Sequence, residues 1–328
     1  MTGSHSSDVR ISACVICYNG ADDVAQALNS ILAQDRKPSE IIVVNDGSTD
    51  NTADVVAAFG DSVRVITTKN GGPETARKIA IEAAQYPWIA LSDHDDIWEE
   101  NHLSRFVEAI AKYPKANFLF SNFQEFGSHA RYSDKFLSMG GAFWAGTQED
   151  TNGFIALGSN QLHRTIRKHP IFPTAMMFHR SLYDKAGGIN LKFSRVGASD
   201  GELTLRMLLT AYLVADCKKT VRIQKHGDNF SADAIKVNKG EILILKACRE
   251  DKRFREHWGI LEKLIEEKAA NMMHYAFSHR DWTVFEAAGQ DIPFLKRSNG
   301  LKLRTVVSVL PRPVRQILCD NLGERTRP

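Results

Sequence analysis

Three carboxylates within four residues, in Asp93-His94-Asp95-Asp96, close the apolar run Trp88-Ile89-Ala90-Leu91-Ser92. A strand that ends in such charge at the rim of a buried sheet calls for a neutralising partner. Hard carboxylate oxygens suit Mg²⁺ or Mn²⁺, which in turn hold phosphates. The plainer alternative is a solvated acidic loop or a helix cap, because Glu99 and Glu100 follow and helical spacing begins next. A second candidate is Asn45-Asp46-Gly47-Ser48-Thr49-Asp50, where an acidic side chain can accept hydrogen bonds from a base or ribose, or simply cap a turn. A third is Asn70-Gly71-Gly72-Pro73 with Arg77 and Lys78 one helical turn on. Its glycines permit close backbone approach and Arg77 could grip a phosphate bidentately; the alternative is a helix start with a surface arginine. The fourth is dispersed: Gly187-Gly188-Ile189, Ser199-Asp200-Gly201-Glu202-Leu203, and Arg222 to Ser231 with His226 and Asn229.

These residues need elements to position them. Ile11–Tyr18, Glu40–Asn45, Val63–Thr68, Trp88–Ser92 and Phe118–Phe126 read as strands. Between them Val24, Leu28, Ile31 and Leu32, then Thr52–Phe59, then a stretch opened by Pro73 and running to about Gln85, then Leu103, Phe106, Val107 and Ile110, have helical spacing. Such alternation predicts an α/β fold, a Rossmann-like, mainly parallel sheet flanked by helices, with ligands at the carboxyl ends of the strands. Asn45-Asp46-Gly47 and Asp93–Asp96 both fall there. From Gly127 to His169 the pattern dissolves, and a loop of that length is usually functional. Order returns at Pro173–Phe178 and in a helix near Asp200–Thr210. Beyond a boundary near 231–236 the chain reads as helices only, with Leu243, Cys248, Trp258, Leu261, Leu264 and Ile265 on amphipathic faces. The expected domains are therefore 1–232 and 233–328.

Composition narrows the class. The chain has 328 residues, 43% hydrophobic and 25% charged, which excludes disorder. A net charge of +3 gives no case for nucleic acid. No apolar stretch spans a bilayer, and the polar Met1–Arg10 lacks a signal-peptide core, so the expectation is a cytoplasmic protein. Cys14 and Cys17 form a C-x-x-C inside a strand, where their side chains point to opposite faces, so both read as buried thiols. Cys217, Cys248 and Cys319 have no metal spacing. Between Lys296 and Arg315 basic residues interleave with Leu301, Leu303, Val306, Val307, Val309 and Leu310. An ordinary packed helix with solvated arginines is the simpler reading; the alternative is a peripheral contact with the inner face of an anionic membrane.

The order of the motifs from Ile11 to Ser231 resembles the family 2 inverting glycosyltransferases of GT-A fold, of the bacterial polysaccharide or glycan type. The resemblance rests on Asn45-Asp46-Gly47-Ser48, Gly71-Gly72-Pro73 with Ala76-Arg77, D-x-D-D at Asp93–Asp96, Phe178-His179-Arg180 leading to Gly187-Gly188, Asp200, and R-x-x-x-H…N-x-S ending at Ser231. It implies a metal-dependent transfer from a UDP-, dTDP- or GDP-sugar to a hydroxyl of a glycan or lipid-linked acceptor, with Mn²⁺ or Mg²⁺ as cofactor. It further implies that Asp46 contacts base or ribose, that Tyr18 and Asn19 form the pocket wall, and that Gly72 and Arg77 belong to the nucleotide-sugar site. Asp95 and Asp96 would hold the cation, Asp93 would sit beside sugar or ribose, and His226 would be a further metal ligand or diphosphate contact. Asp200 would be the general base. The family commonly has Glu-Asp where this chain has Ser199-Asp200, which makes Glu202 a second candidate. A helical tail for acceptor, homo-oligomer or membrane contacts completes the expectation. Phe143, Trp144 and His163 are candidates for sugar contacts, with core packing as the alternative for the aromatics. A sugar-phosphate nucleotidylyltransferase would carry a basic Gly-rich loop after the first strand, where this chain has Cys17–Asp22. A non-catalytic nucleotide-sugar-binding module is the remaining alternative.

Overall fold

A computed structural model describes residues 9–227 and 234–323, which fall into two compact units, one on each side of that break. Asn229, Ser231 and the side chain of Cys319 lie outside the described residues.

The first unit opens with β1 (Ile11–Cys17), α1 (Val24–Leu32), β2 (Glu40–Asn45), α2 (Thr52–Ala57), β3 (Arg64–Thr67), α3 (Pro73–Ala83) and β4 (Trp88–Asp93). β1 lies between β2 and β4, and all these neighbours run parallel. β1, β2 and β4 are buried on both faces, which is why each reads as an unbroken apolar run. Register pairs Cys17 with Asn45 and Ile16 with Asp93, so the chain leaves all three strands along one edge. Val24, Leu28 and Ile31 of α1 pack onto a core that includes Ile11, Val15, Val43 and Ala90.

The second half departs from the all-βα expectation. After β5 (Ile97–Trp98), α4 (His102–Lys112) and β6 (Phe118–Phe126) come short helices α5 (Lys135–Met139) and α6 (Gly141–Trp144), β7 (Phe154–Gly158), α7 (Leu162–Thr165), β8 (Met176–His179), α8 (Arg180–Ala186), α9 (Ser199–Leu208) and β9 (Leu213–Gln224). The sheet order is β3-β2-β1-β4-β8-β6-β9-β5, with β7 also paired to β9. β8 runs antiparallel to both β4 and β6, whereas β6 and β9 are parallel. The stretch between β6 and β8 is an excursion with a strand of its own rather than a helical crossover, so the rule that keeps βαβ neighbours parallel does not apply. The segment 127–169 is thus not one patternless loop.

The second unit consists of helices, as its sequence pattern predicts: α10 (Ala234–Glu250), α11 (Trp258–Ser278), α12 (Trp282–Gly289), α13 (Asn299–Ser308) and α14 (Arg312–Gly323), with 3₁₀ turns between some of them. Leu261, Leu264, Ile265, Met272, Met273, Ala276 and Phe277 give α11 its buried side. Leu243 and Trp258, expected on packed faces, are exposed instead. No helix among the described residues is long and apolar enough to cross a membrane.

Candidate active site

The carboxyl edge of β1, β2 and β4 gathers most of the predicted residues. Tyr18 leaves β1 with its ring exposed. Asn19 follows at φ 47°, its amide oxygen accepting from Thr49 N at 2.8 Å and its own N–H donating to Ser48 Oγ at 3.0 Å. Those bonds fasten the Tyr18–Asn19 corner to the turn after β2. Gly20 is bare because His94 fills the space: a Cβ there would meet the imidazole Cδ2 at 1.9 Å.

Several of the expected residues also have partners within the protein. Asp46 is buried, and its two oxygens accept from Gly71 N and Gly72 N, both at 2.8 Å. It therefore shapes the turn before α3, while each oxygen keeps a further acceptor position for a base or ribose. Gly72, at φ 90°, gives its open side to the protein itself, since a Cβ would lie 2.9 Å from Arg195 Cγ. Arg77 is no surface phosphate grip. It is buried, donating from Nη1 to Glu74 at 2.7 Å and from Nη2 to both oxygens of Asp93 at 2.7 and 3.0 Å. Asp96 is also buried, accepting from Thr174 Oγ1 at 2.5 Å and from Gln224 N at 2.9 Å, so both of its oxygens are engaged. Burial and the neighbouring Asp95 and Asp93 push its carboxyl well above the usual range. Thr174 and Gln224 thus make Asp96 a brace between the loop after β4 and the end of β9.

Asp95 is left facing His226, with Oδ2 3.6 Å from the imidazole Nε2. The β5–β9 pairing, Ile97 with Arg222 and Trp98 with Val221, brings these residues together. Burial pushes the Asp95 carboxyl up, with the charge of Asp93 adding to the effect. A carboxylate and an imidazole side by side suit a borderline-hard cation such as Mn²⁺. Among the described residues no three His, Cys, Asp or Glu side chains could hold a metal by themselves, so a cation here would draw further ligands from elsewhere.

Asp200 lies in the first turn of α9, whose N-cap, Ala198, has φ 59°; Arg195 is at φ 65°. Two left-handed non-glycine residues this close mark a strained lead-in of the kind stored at functional sites. The carboxyl of Asp200 is pushed up by burial, held down by the charge of Arg77, and pushed up again by Asp93. It thus shares one electrostatic neighbourhood with Asp93, Arg77 and Glu74. Ser199 Oγ donates to Glu74 at 3.1 Å, tying α9 to α3. Glu202, the alternative base, is held by Arg206. It is buried and bonded by Arg206 at 2.8 and 2.5 Å, while the same guanidinium reaches Ala186 O and Gly188 O at 2.6 and 2.7 Å.

Glu74, Thr174 and Gln224 had no signal in the sequence, since each is a polar residue in an ordinary position until its partner is known. Phe143 is buried, and Trp144 packs on Phe136 and Phe143 with its Nε1 donating to Phe136 O at 3.1 Å. These aromatics are packing. His163 is exposed with Nδ1 3.0 Å from Asn160 O. Cys14 and Cys17 are free and buried, with burial pushing Cys17 up to about 12 and Cys14 higher still, which leaves both inert.

A mixed sheet with acidic residues collected at one strand edge and a helical extension defines the GT-A class of glycosyltransferase folds. The chain belongs to glycosyl transferase family 2, whose model matches residues 12–187. It is 41% identical over 100 residues to the succinoglycan biosynthesis protein ExoO of Rhizobium meliloti, covering 30% of this chain and 29% of that one. It is 32% identical over 114 residues to the poly-β-1,6-N-acetyl-D-glucosamine synthase of Staphylococcus epidermidis, covering 34% and 28%. The matched segments thus span about a third or less of these relatives. In fold it is similar to S. aureus TarS 1-349 in complex with UDP-GlcNAc, with TM-score 0.65, 18% identity, and coverage of 96% of this chain and 90% of that one. It is also similar to the mannosyltransferase PcManGT of Pyrobaculum calidifontis in complex with GDP-Man and Mn²⁺, with TM-score 0.56, 17% identity, and coverage of 97% and 81%.

Proposed function

We propose that the protein is a metal-dependent inverting glycosyltransferase that moves a sugar from a nucleoside-diphosphate sugar to a hydroxyl of a glycan or lipid-linked acceptor. The observation that carries this reading is the convergence, at one strand edge of a family 2 domain, of the Asp95–His226 pair with the Asp93–Arg77–Asp200 group. Tyr18 and Asn19 form the wall of the nucleotide pocket, and Asp46 holds the Gly71-Gly72 turn that borders it. Asp93, oriented by Arg77, lies beside the sugar or ribose. Asp95 and His226 supply the protein's ligands to Mn²⁺ or Mg²⁺. When bound, that cation neutralises charge gained by the departing diphosphate.

Asp200 accepts the proton of the acceptor hydroxyl as its oxygen attacks the anomeric carbon, so the sugar is transferred in a single displacement with inversion. Burial raises its proton affinity above that of an exposed aspartate, and the charge of Arg77 opposes that rise. The second unit serves the acceptor.

The test is a panel of UDP-, dTDP- and GDP-sugars, UDP-GlcNAc and GDP-Man first, scored for nucleoside diphosphate release with and without Mn²⁺, by wild type and Asp200→Asn. The expected result is metal-dependent release by wild type. In the variant turnover falls by about 10²–10⁴ while donor affinity stays within a few-fold. Donor binding without release would make the domain a binding module. Equal loss of binding and turnover in the variant would make Asp200 a structural residue.

A further inference from the structure

Helix α13 carries apolar side chains on opposite sides. Leu301 and Val307 are buried within the second unit, but Leu303, Val306 and the C-capping Val309 stand 50%, 51% and 75% exposed. Leu295, 85% exposed, and Phe294 precede the helix, and Val314, also exposed, follows it. An apolar stripe is ordinarily the side a helix packs, and within the second unit this outer one is left uncovered.

Charge identifies the cover. From Phe294 to Gln316 the chain has six basic residues, Lys296, Arg297, Lys302, Arg304, Arg312 and Arg315, and no Asp or Glu. Lys296 pairs with Glu266, Arg304 and Arg315 lie over the rings of Phe277 and Trp282, and Arg297 donates to Thr305 and to the carbonyls of Gly289 and Ile292. Lys302 and Arg312 have no partner among the described residues. An exposed apolar strip on a segment that is itself cationic, with Lys302 and Arg312 unpaired, matches a bilayer surface with anionic headgroups, where phosphates meet the cations and the acyl boundary receives the Leu and Val side chains. A second copy of the chain fits poorly, because a symmetric contact would set this cationic segment against itself.

We propose that the outer face of α13, with Phe294, Leu295 and Val314, is a docking surface for an anionic lipid bilayer. The inference is independent of the catalytic reading and does not require activity.

The test is co-sedimentation of the full chain with phosphatidylcholine vesicles, with and without phosphatidylglycerol. Wild type should bind the anionic vesicles at least about tenfold more strongly than the neutral ones, and added salt should weaken binding. Leu303→Glu/Val306→Glu should lose about tenfold or more by expelling the apolar strip from the acyl boundary. Lys302→Gln/Arg312→Gln should lose about 25-fold, roughly fivefold per cation. Both pairs change exposed side chains, and an unchanged melting curve confirms that each is folded. Absence of binding to anionic vesicles, or equal binding by wild type and both variants, overturns the proposal. So does a concentration-dependent dimer in sedimentation velocity that Leu303→Glu/Val306→Glu dissolves, since the face would then belong to a second copy.

Discussion

The guanidinium of Arg77 lies between two carboxylates, Glu74 and Asp93, that come from different elements and would otherwise repel each other. Removing a buried cation from such a group leaves its partners uncompensated, a change that costs far more than the pair itself contributes. Arg77→Met is therefore expected to lower stability by about 3–5 kcal/mol, read from urea denaturation. Arg77→Lys keeps the charge but not the fork, and should fall between wild type and Arg77→Met. Glu202 gives a contrasting case. Its oxygens are both taken by Arg206, so Glu202→Gln should lower the melting temperature yet leave kcat per folded molecule unchanged. A drop of about 10²-fold or more in kcat would return it to the list of bases.

His102, at the start of α4, rests its ring on Trp98 and Phe106 with Nδ1 2.8 Å from Thr220 Oγ1. Burial pushes it down from 6.5 to about 3. Between those values the unfolded chain binds a proton that the folded chain refuses, so this residue makes stability fall as pH drops below about 6.5. The loss between pH 7 and pH 5 should be about 2 kcal/mol from this residue. His102→Gln, followed by denaturation at both pH values, should flatten the slope by that amount. Gly127 sits where β6 gives way to the next segment, at φ 96°, and a Cβ would meet Lys225 O at 2.5 Å. Neither the backbone carbonyl nor the φ tolerates Gly127→Ala, which should cost about 1–3 kcal/mol in stability. Because Lys225 precedes His226, the substitution should also reduce the affinity for Mn²⁺ measured by calorimetry. The same scale explains what could be read from sequence. β1, β2 and β4 were legible because both of their faces are buried. β9 was not, because Lys218, Lys219 and Arg222 interrupt it and a register shift displaces its pairing with β6. β5 is too short to show a period. For the site, residue types at the strand ends were legible, but their hydrogen-bond partners were not. Asp46, Asp96 and Arg77 look alike in sequence to groups that face a ligand, and only their partners reveal that they brace the loops.

At the scale of the molecule, each unit has its own buried interior: the sheet core in the first, and Phe254, Leu261, Met273 and Phe285 in the second. A chain ending at Ala232 is therefore expected to unfold cooperatively and to keep nucleotide-sugar binding by calorimetry, while transfer to the acceptor is lost. Failure of that shorter chain to fold would show that the division is one of geometry and not of stability. The pairing of β5 with β9 carries a consequence for biogenesis. Asp95 emerges from the ribosome early, but its imidazole neighbour is supplied only after the last strand has been translated and threaded beside a two-residue ribbon. A nascent chain stalled before that point would hold most of its sheet and still lack the Asp95–His226 pair.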